Sequence, residues 1–398
     1  MKRYDLITPE GTRDLLYEDC IVGKEAGQRI HKIFKSRGYS KVITPGIEFY
    51  DVFNCSSQYF QQERLYKLTD SKGRLLVVRP DSTIPIARVA STRLRDNGLP
   101  MRLYYSQKVY RVKPSLKGGS DEFLQTGIEL IGSPSKRADL EVLTMALEVL
   151  STCDSHGFRL EIGDSGYFRE LVNRLDTTDE VKEEIRGIIE AKNYPALNDL
   201  LDSFDEDEIT ATIKALPRLF GGADVFTKAR ALYTDAPILE ILDKLEEIYK
   251  SLSKLGYGDN VIMDLGIVNR IDYYTGIIMN GYLDGIGDVV LSGGRYDRLL
   301  REFGMDAPAT GFAVDVDAVT KLLKKRMGTV PMPCPDVIVY GEDGFEIDAL
   351  IYSKGLINSG KIVENAVFDS LDDVRIYAKR RGIPHIAVVS DCVELEDV

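Results

Sequence analysis

The run from Lys108 to Gly132, KVYRVKPSLKGGSDEFLQTGIELIG, sets two kinds of chemistry side by side. Its loop is rich in Lys, Gly and Ser, and cations beside exposed backbone N–H groups suit a phosphate. The strand-like segment after the loop carries Gln125 and Glu129 among apolar neighbours, four residues apart. On a strand that spacing puts both side chains on one face. An amide and a carboxylate so placed hold a small ligand bearing an amine better than they hold a phosphate.

Such groups need a scaffold. Between Asp19 and Ser36, Ile21, Val22, Ala26, Ile30, Ile33 and Phe34 recur near a 3.6 period, which predicts an amphipathic helix stopped by Gly38. YSKVITPGIEFYDVF reads as a strand kinked at Pro45 that leads into a turn or short helix. Strand patterns follow at LYKLTD, RLLVVRP, MRLYYSQKVYRV and EFLQTGIELIG, and a helix over Lys136 to Thr152. Consecutive strands with few helices between them predict an antiparallel sheet in an α+β domain.

Charged, helix-forming sequence occupies about 167–256 and reads as a helical insert. Strand patterns then return at NVIMDLGIV, YYTGIIMNGYLDG and DVVLSGGRYD, and TGFAVDVDAVTKLLKK reads as strand into helix. Pro331 and Pro333 mark a linker. It divides a first domain, 1–330, from a small α/β module, 334–398, whose last strand is HIAVVS.

Composition narrows the function. At 398 residues and 44% hydrophobic, the chain fills a substantial core without staples. The formal charge of −12 repels a polyanion, and the terminal module holds six Lys or Arg against thirteen Asp or Glu, which is no RNA-binding surface. Five scattered Cys without a C-x-x-C pair make neither a disulfide framework nor a zinc site, and the three His are not at helical spacing, so no metal is expected. No run reaches the ~18 apolar residues of a membrane span. A reducing, cytoplasmic setting fits best.

Four segments belong together: PEGTRDL, VVRPDSTIPIAR, the Lys108 to Gly132 run, and IVNRIDYYTG with LSGGRYDRL. Their order resembles the catalytic domain of histidyl-tRNA synthetase, a class II aminoacyl-tRNA synthetase built on an antiparallel sheet flanked by helices. Pro45, Arg111 and Gly311 to Asp317 fall in what look like the three class motifs, and the terminal module resembles a shortened anticodon-binding domain. The resemblance implies a histidine pocket at Asp81, Thr83, Gln125, Glu129, Tyr273 and Tyr274, with Arg111 as a retained cation beside it. Asp81 stands where the family usually has glutamate.

The ATP half of that family's site is altered. Adenylation needs fixed cations around the triphosphate. Lys113 replaces a glutamate near the adenine, and Asp121 replaces an arginine, which sets like charge against a triphosphate. The family's R-G-L-D-Y-Y becomes Asn269, Arg270, Ile271, Asp272, Tyr273, Tyr274, with the arginine one position out of register. The third motif's G-L-E-R becomes Asp315, Val316, Asp317, Ala318.

A chain that keeps the amino-acid pocket and loses the ATP clamp resembles the paralogous family of ATP phosphoribosyltransferase regulatory subunits. That resemblance implies a non-catalytic homodimeric core in a hetero-oligomer with the short-form catalytic subunit of the first step of histidine biosynthesis. It also implies histidine as the feedback ligand, reordering of the tyrosine-bearing strand and the loop around Gly118, no cofactor and no tRNA. A divergent active histidyl-tRNA synthetase and an amino-acid-binding or ligase paralogue are the alternatives.

Overall fold

Helix α1 (Glu18–Ser36) buries Val22, Ala26, Ile30 and Phe34, one side chain per turn, and so carries a continuous apolar stripe. The computed structural model describes residues 3–54, 62–112, 120–154, 157–268 and 274–398. These form two units, Met1–Gly328 and Thr329–Val398. In the first, Pro45 breaks the chain between β1 (Ser40–Lys41) and β2 (Ile47–Phe49), which join different sheets. β2 pairs with β4 (Leu75–Val78), and β4 with β3 (Lys67–Thr69), as a small antiparallel sheet.

Next comes α2 (Thr83–Thr92), within a stretch that the strand-rich reading leaves without a helix. The long hairpin β5 (Met101–Tyr110) and β6 (Glu122–Ile131) follows, then α3 (Lys136–Cys153), capped where Ser135 Oγ accepts from the Arg137 N–H at 3.2 Å. After β7 (Phe158–Asp164) the insert runs through α4 (Ser165–Val172), α5 (Asp179–Glu190), α6 (Tyr194–Leu201), α7 (Glu208–Ala215), β8 (Phe220–Gly221), α8 (Asp224–Leu232) and α9 (Ala236–Lys254). The unit closes with β9 (Val261–Asp264), β10 (Ile277–Leu283), β11 (Leu291–Arg295), β12 (Ala309–Asp315) and α10 (Val316–Met327).

Among the described residues the large sheet runs β1-β5-β6-β12-β11-β10-β7-β9-β8. Its middle is antiparallel, as the strand-rich sequence predicts. The sheet as a whole is mixed, because β1 joins β5 and β9 joins β7 in parallel. Helices α1, α3 and α10 cover one face, where Ile128, Leu130, Met279 and Phe312 meet Leu143, Ala146 and Leu147. Each such side chain contributes roughly 1.5–3 kcal/mol on burial. The other face holds Tyr105, Ile131, Tyr274 and Ile278 against Val77, Ile84 and Ile86.

The second unit contains β13 (Val337–Gly341), α11 (Glu346–Asn358), β14 (Val363–Asn365), α12 (Leu371–Arg381), β15 (His385–Val389) and β16 (Val393–Asp397). Its sheet order is β14-β13-β15-β16, parallel except for the last strand. HIAVVS is therefore not the final strand: VELED turns back beside it, and His385 Nδ1 lies 2.8 Å from Asp397 Oδ1.

Candidate functional site

Sheet order brings the pocket together. β6 carries Gln125, Gly127 and Glu129 on one face, between β5 and β12. Gln125 Oε1 accepts from the Ser82 N–H at 3.1 Å, which fastens the entry of α2 to the strand. Asp81 Oδ1 accepts from the N–H of Thr83 at 2.7 Å and more weakly from that of Ile84. A carboxylate at a helix start is also favoured by the helix dipole. Arg111 donates to Asp81 Oδ2 at 2.9 Å and to Pro80 O at 2.6 Å, with its guanidinium 5.6 Å from the centre of the Phe123 ring.

Glu129 is the centre of the arrangement. It is 1% exposed, and Tyr296 donates its hydroxyl to Oε2. The hydroxyls of Thr83 and Tyr105 favour the anion, but neither meets hydrogen-bond geometry at Oε1, which has no partner among the described residues. The Tyr105 hydroxyl is likewise unpartnered. Burial pushes the Glu129 carboxyl up to about 8 despite those hydroxyls, and nearby Asp81 adds to the rise. Burial also raises Tyr105 well above its usual range, with Glu129 and Asp81 contributing. A buried carboxyl with one oxygen unsatisfied among the described residues is a partner for a ligand N–H.

Two glycines make the room. A Cβ on Gly311 of β12 would lie 2.1 Å from Glu129 Oε2 and 2.2 Å from Ile128 O. One on Gly127 would lie 2.5 Å from the Tyr105 hydroxyl. Backbone and ligand-holding side chains approach here as closely as bare glycine allows.

Of the sequence-derived residues, Asp81, Thr83, Gln125 and Glu129 converge, with Arg111 bound to Asp81. Tyr274 is buried in the same apolar cluster as Tyr105 and Tyr296. Tyr273, Lys113, Asn269, Arg270 and the loop around Gly118 lie outside the described residues. The Asp81 oxygens serve the start of α2 and Arg111. Asp121 is a correction. It is buried rather than set against a triphosphate: Tyr66 donates to its Oδ2 at 2.6 Å, and its own N–H donates to Gly11 O at 2.8 Å. Its work is to hold the N-terminal segment.

Tyr105 and Tyr296 escaped sequence reasoning. They lie in MRLYYSQ and LSGGRYD, where Tyr105 faces Gly127 across the β5-β6 pair, a relation that only the strand register supplies. Next to the pocket a cavity of about 150 Å³ is lined by Arg111, Phe123, Gln125, Ser292 and Asp315. Asp315 caps α10 by accepting from the Ala318 N–H at 3.0 Å, so the third-motif position presents a carboxylate there.

This sheet and pocket define a class II aminoacyl-tRNA synthetase-like protein. A family model described as histidyl-tRNA synthetase matches residues 11–319. A histidyl-tRNA synthetase structure from Nostoc sp. PCC 7120 superposes with a TM-score of 0.78 at 20% identity, covering 99% of this chain and 95% of that one, which shows the fold. The chain is 37% identical over 389 residues to the ATP phosphoribosyltransferase regulatory subunit of Clostridium botulinum (strain Langeland), covering 97% of this chain and 92% of that one. To the corresponding subunit of Clostridium kluyveri it is 38% identical over 384 residues, covering 96% and 98%. A crystal structure from Bacillus halodurans C, described as an ATP phosphoribosyltransferase regulatory subunit/histidyl-tRNA synthetase, matches with a TM-score of 0.86 at 28% identity over 98% of this chain and 100% of that one. The chain belongs to the family of ATP phosphoribosyltransferase regulatory subunits, a regulatory rather than a catalytic polypeptide.

Proposed function

We propose that this chain assembles with the short-form catalytic subunit of ATP phosphoribosyltransferase, is required for its activity, and carries feedback regulation by histidine. The observation that carries the histidine reading is the fully buried Glu129, whose Oε1, like the neighbouring Tyr105 hydroxyl, meets no hydrogen-bond geometry with a partner among the described residues. An imidazole N–H satisfies the carboxylate, Gln125 and Thr83 add neutral partners, and Tyr274 packs against the ring. Tyr273 belongs to the same proposed pocket. Arg111, oriented by Asp81, takes the ligand carboxylate.

The core unit is a homodimer in this proposal, supported by Ile47 and Phe49, which are exposed on one face of β2, and by Ile43, exposed just before that strand. No described helix is long and apolar enough to cross a membrane, and the proposed setting is the cytoplasm. Histidine shifts activity only through its different affinity for two assembly states, typically ~1–3 kcal/mol.

Calorimetry with L-histidine tests the pocket. The expected result is saturable binding by the wild-type chain, alone or with the catalytic subunit. Absence of binding in both conditions removes the pocket assignment.

A further inference from the structure

We propose that the cavity between helices α4 and α5 and strand β10 is a second small-molecule site, for an amino-acid-sized carboxylate with an apolar body. It is distinct from the Glu129 pocket and does not rest on the histidine reading.

The cavity holds about 250 Å³. That is on the order of eight waters' share of liquid volume, the bulk of one amino acid or small aromatic acid. Its floor is apolar, made by Phe168 and Val172 of α4, Tyr274 just before β10, and Ile278 of β10. Its rim carries cations of unequal commitment. Arg186 is held by Glu183 and Glu190. The Lys182 ammonium has only a 3.6 Å contact with Asp179, whose side chain is 97% exposed. Arg169 lines the cavity and, among the described residues, its guanidinium makes no hydrogen bond or ion pair, its charge acting on Asp164 only at longer range.

An uncommitted guanidinium fork takes a carboxylate through two parallel N–H donors, with Lys182 as a second cation. The floor then sets the class. Inorganic phosphate would satisfy the rim and leave the apolar wall wet, whereas a carboxylate on an aliphatic or aromatic body covers both. The wall is shared with the first site, since Tyr274, Ile278, Tyr105 and Tyr296 form one apolar cluster. Ser165 fixes the junction by donating its hydroxyl to Tyr274 O at 3.2 Å and its N–H to Gly276 O at 2.9 Å.

The test titrates the full chain with 3-phenylpropionate, with inorganic phosphate as the comparison anion, by calorimetry. The expected result is saturable 3-phenylpropionate binding that weakens about tenfold in Arg169→Ala, recovers in part in Arg169→Lys, and persists in Glu129→Gln. Arg169 is exposed, so its removal leaves the fold intact. The proposal is overturned if wild type shows no saturable binding, if Arg169→Ala binds as wild type does, if phosphate binds as tightly as 3-phenylpropionate, or if Glu129→Gln abolishes binding. Only the last outcome would return the ligand to the first pocket, so the two sites fail separately.

Discussion

Glu129→Gln is expected to stabilise the ligand-free chain at pH 8 and to make little difference at pH 4.5. Burial holds this carboxyl at about 8 in the folded chain, against 4.5 for the ordinary group. Below about pH 4.5 it is protonated in both folded and unfolded chains and costs nothing. Between 4.5 and 8 the unfolded chain sheds the proton while the folded chain retains it, so wild-type stability falls as pH rises. Above 8 the loss is complete. Glutamine stays neutral throughout and still offers Tyr296 an oxygen acceptor. The gain at pH 8 should be on the order of 4 kcal/mol, read by urea denaturation at several pH values. The facing titratable groups are Asp81, already paired with Arg111, Tyr105 and Tyr296.

The same proton couples to the ligand. Histidine that pairs with an ionised Glu129 must displace it, so affinity should rise close to tenfold per unit of pH as pH approaches 8 from below, with proton release visible in buffers of different ionisation enthalpy. Glu129→Gln should weaken histidine by roughly 10- to 100-fold, because a buried charge-assisted bond is lost. A pH-independent affinity, or a variant that binds as wild type does, contradicts this role.

Gly311→Ala is expected to be among the most damaging single substitutions to the pocket. Its Cβ would meet Glu129 Oε2 at 2.1 Å and the rigid carbonyl of Ile128 at 2.2 Å. The carboxylate can swing away and the central strand cannot, so β12 must shift within the sheet. A cost of roughly 2–4 kcal/mol is expected, with histidine binding lost even where the chain stays folded. Gly187→Ala is the control. It lies inside α5 with open space around it, and should be neutral or stabilising by about 0.5–1 kcal/mol. Thermal melts and calorimetry on both variants separate a local clash from a general intolerance of alanine.

What the sequence disclosed follows from where the information lies. The spacing of Gln125 and Glu129 is local, and the strand period alone put them on one face. Tyr296 reaches Glu129 only through the order β6-β12-β11, which joins strands far apart in the chain, and Tyr105 only through the register of the β5-β6 hairpin. Direction of pairing at β1 and β9 is likewise not written in a strand's own residues. Helix α2 was masked by Pro85, which reads as a breaker yet sits in the first turn, where its missing N–H removes no helical bond. Asp121 misled for another reason. A carboxylate beside a phosphate-like loop looks electrostatic until Tyr66 and the N-terminal segment, both distant in sequence, claim it. The strand VELED, dense in acids, lies beyond the last strand read from the sequence, although Val393 and Leu395 keep the period of two.

The most direct test of the regulatory account is reconstitution. A short-form ATP phosphoribosyltransferase catalytic subunit is assayed alone, with this chain, and with Glu129→Gln, each across a histidine titration. The account predicts that the wild-type chain raises activity, that histidine then lowers it, and that the variant complex needs at least about tenfold more histidine for the same inhibition. Activity that does not rise when this chain is added, or inhibition curves that superimpose for wild type and variant, would contradict it.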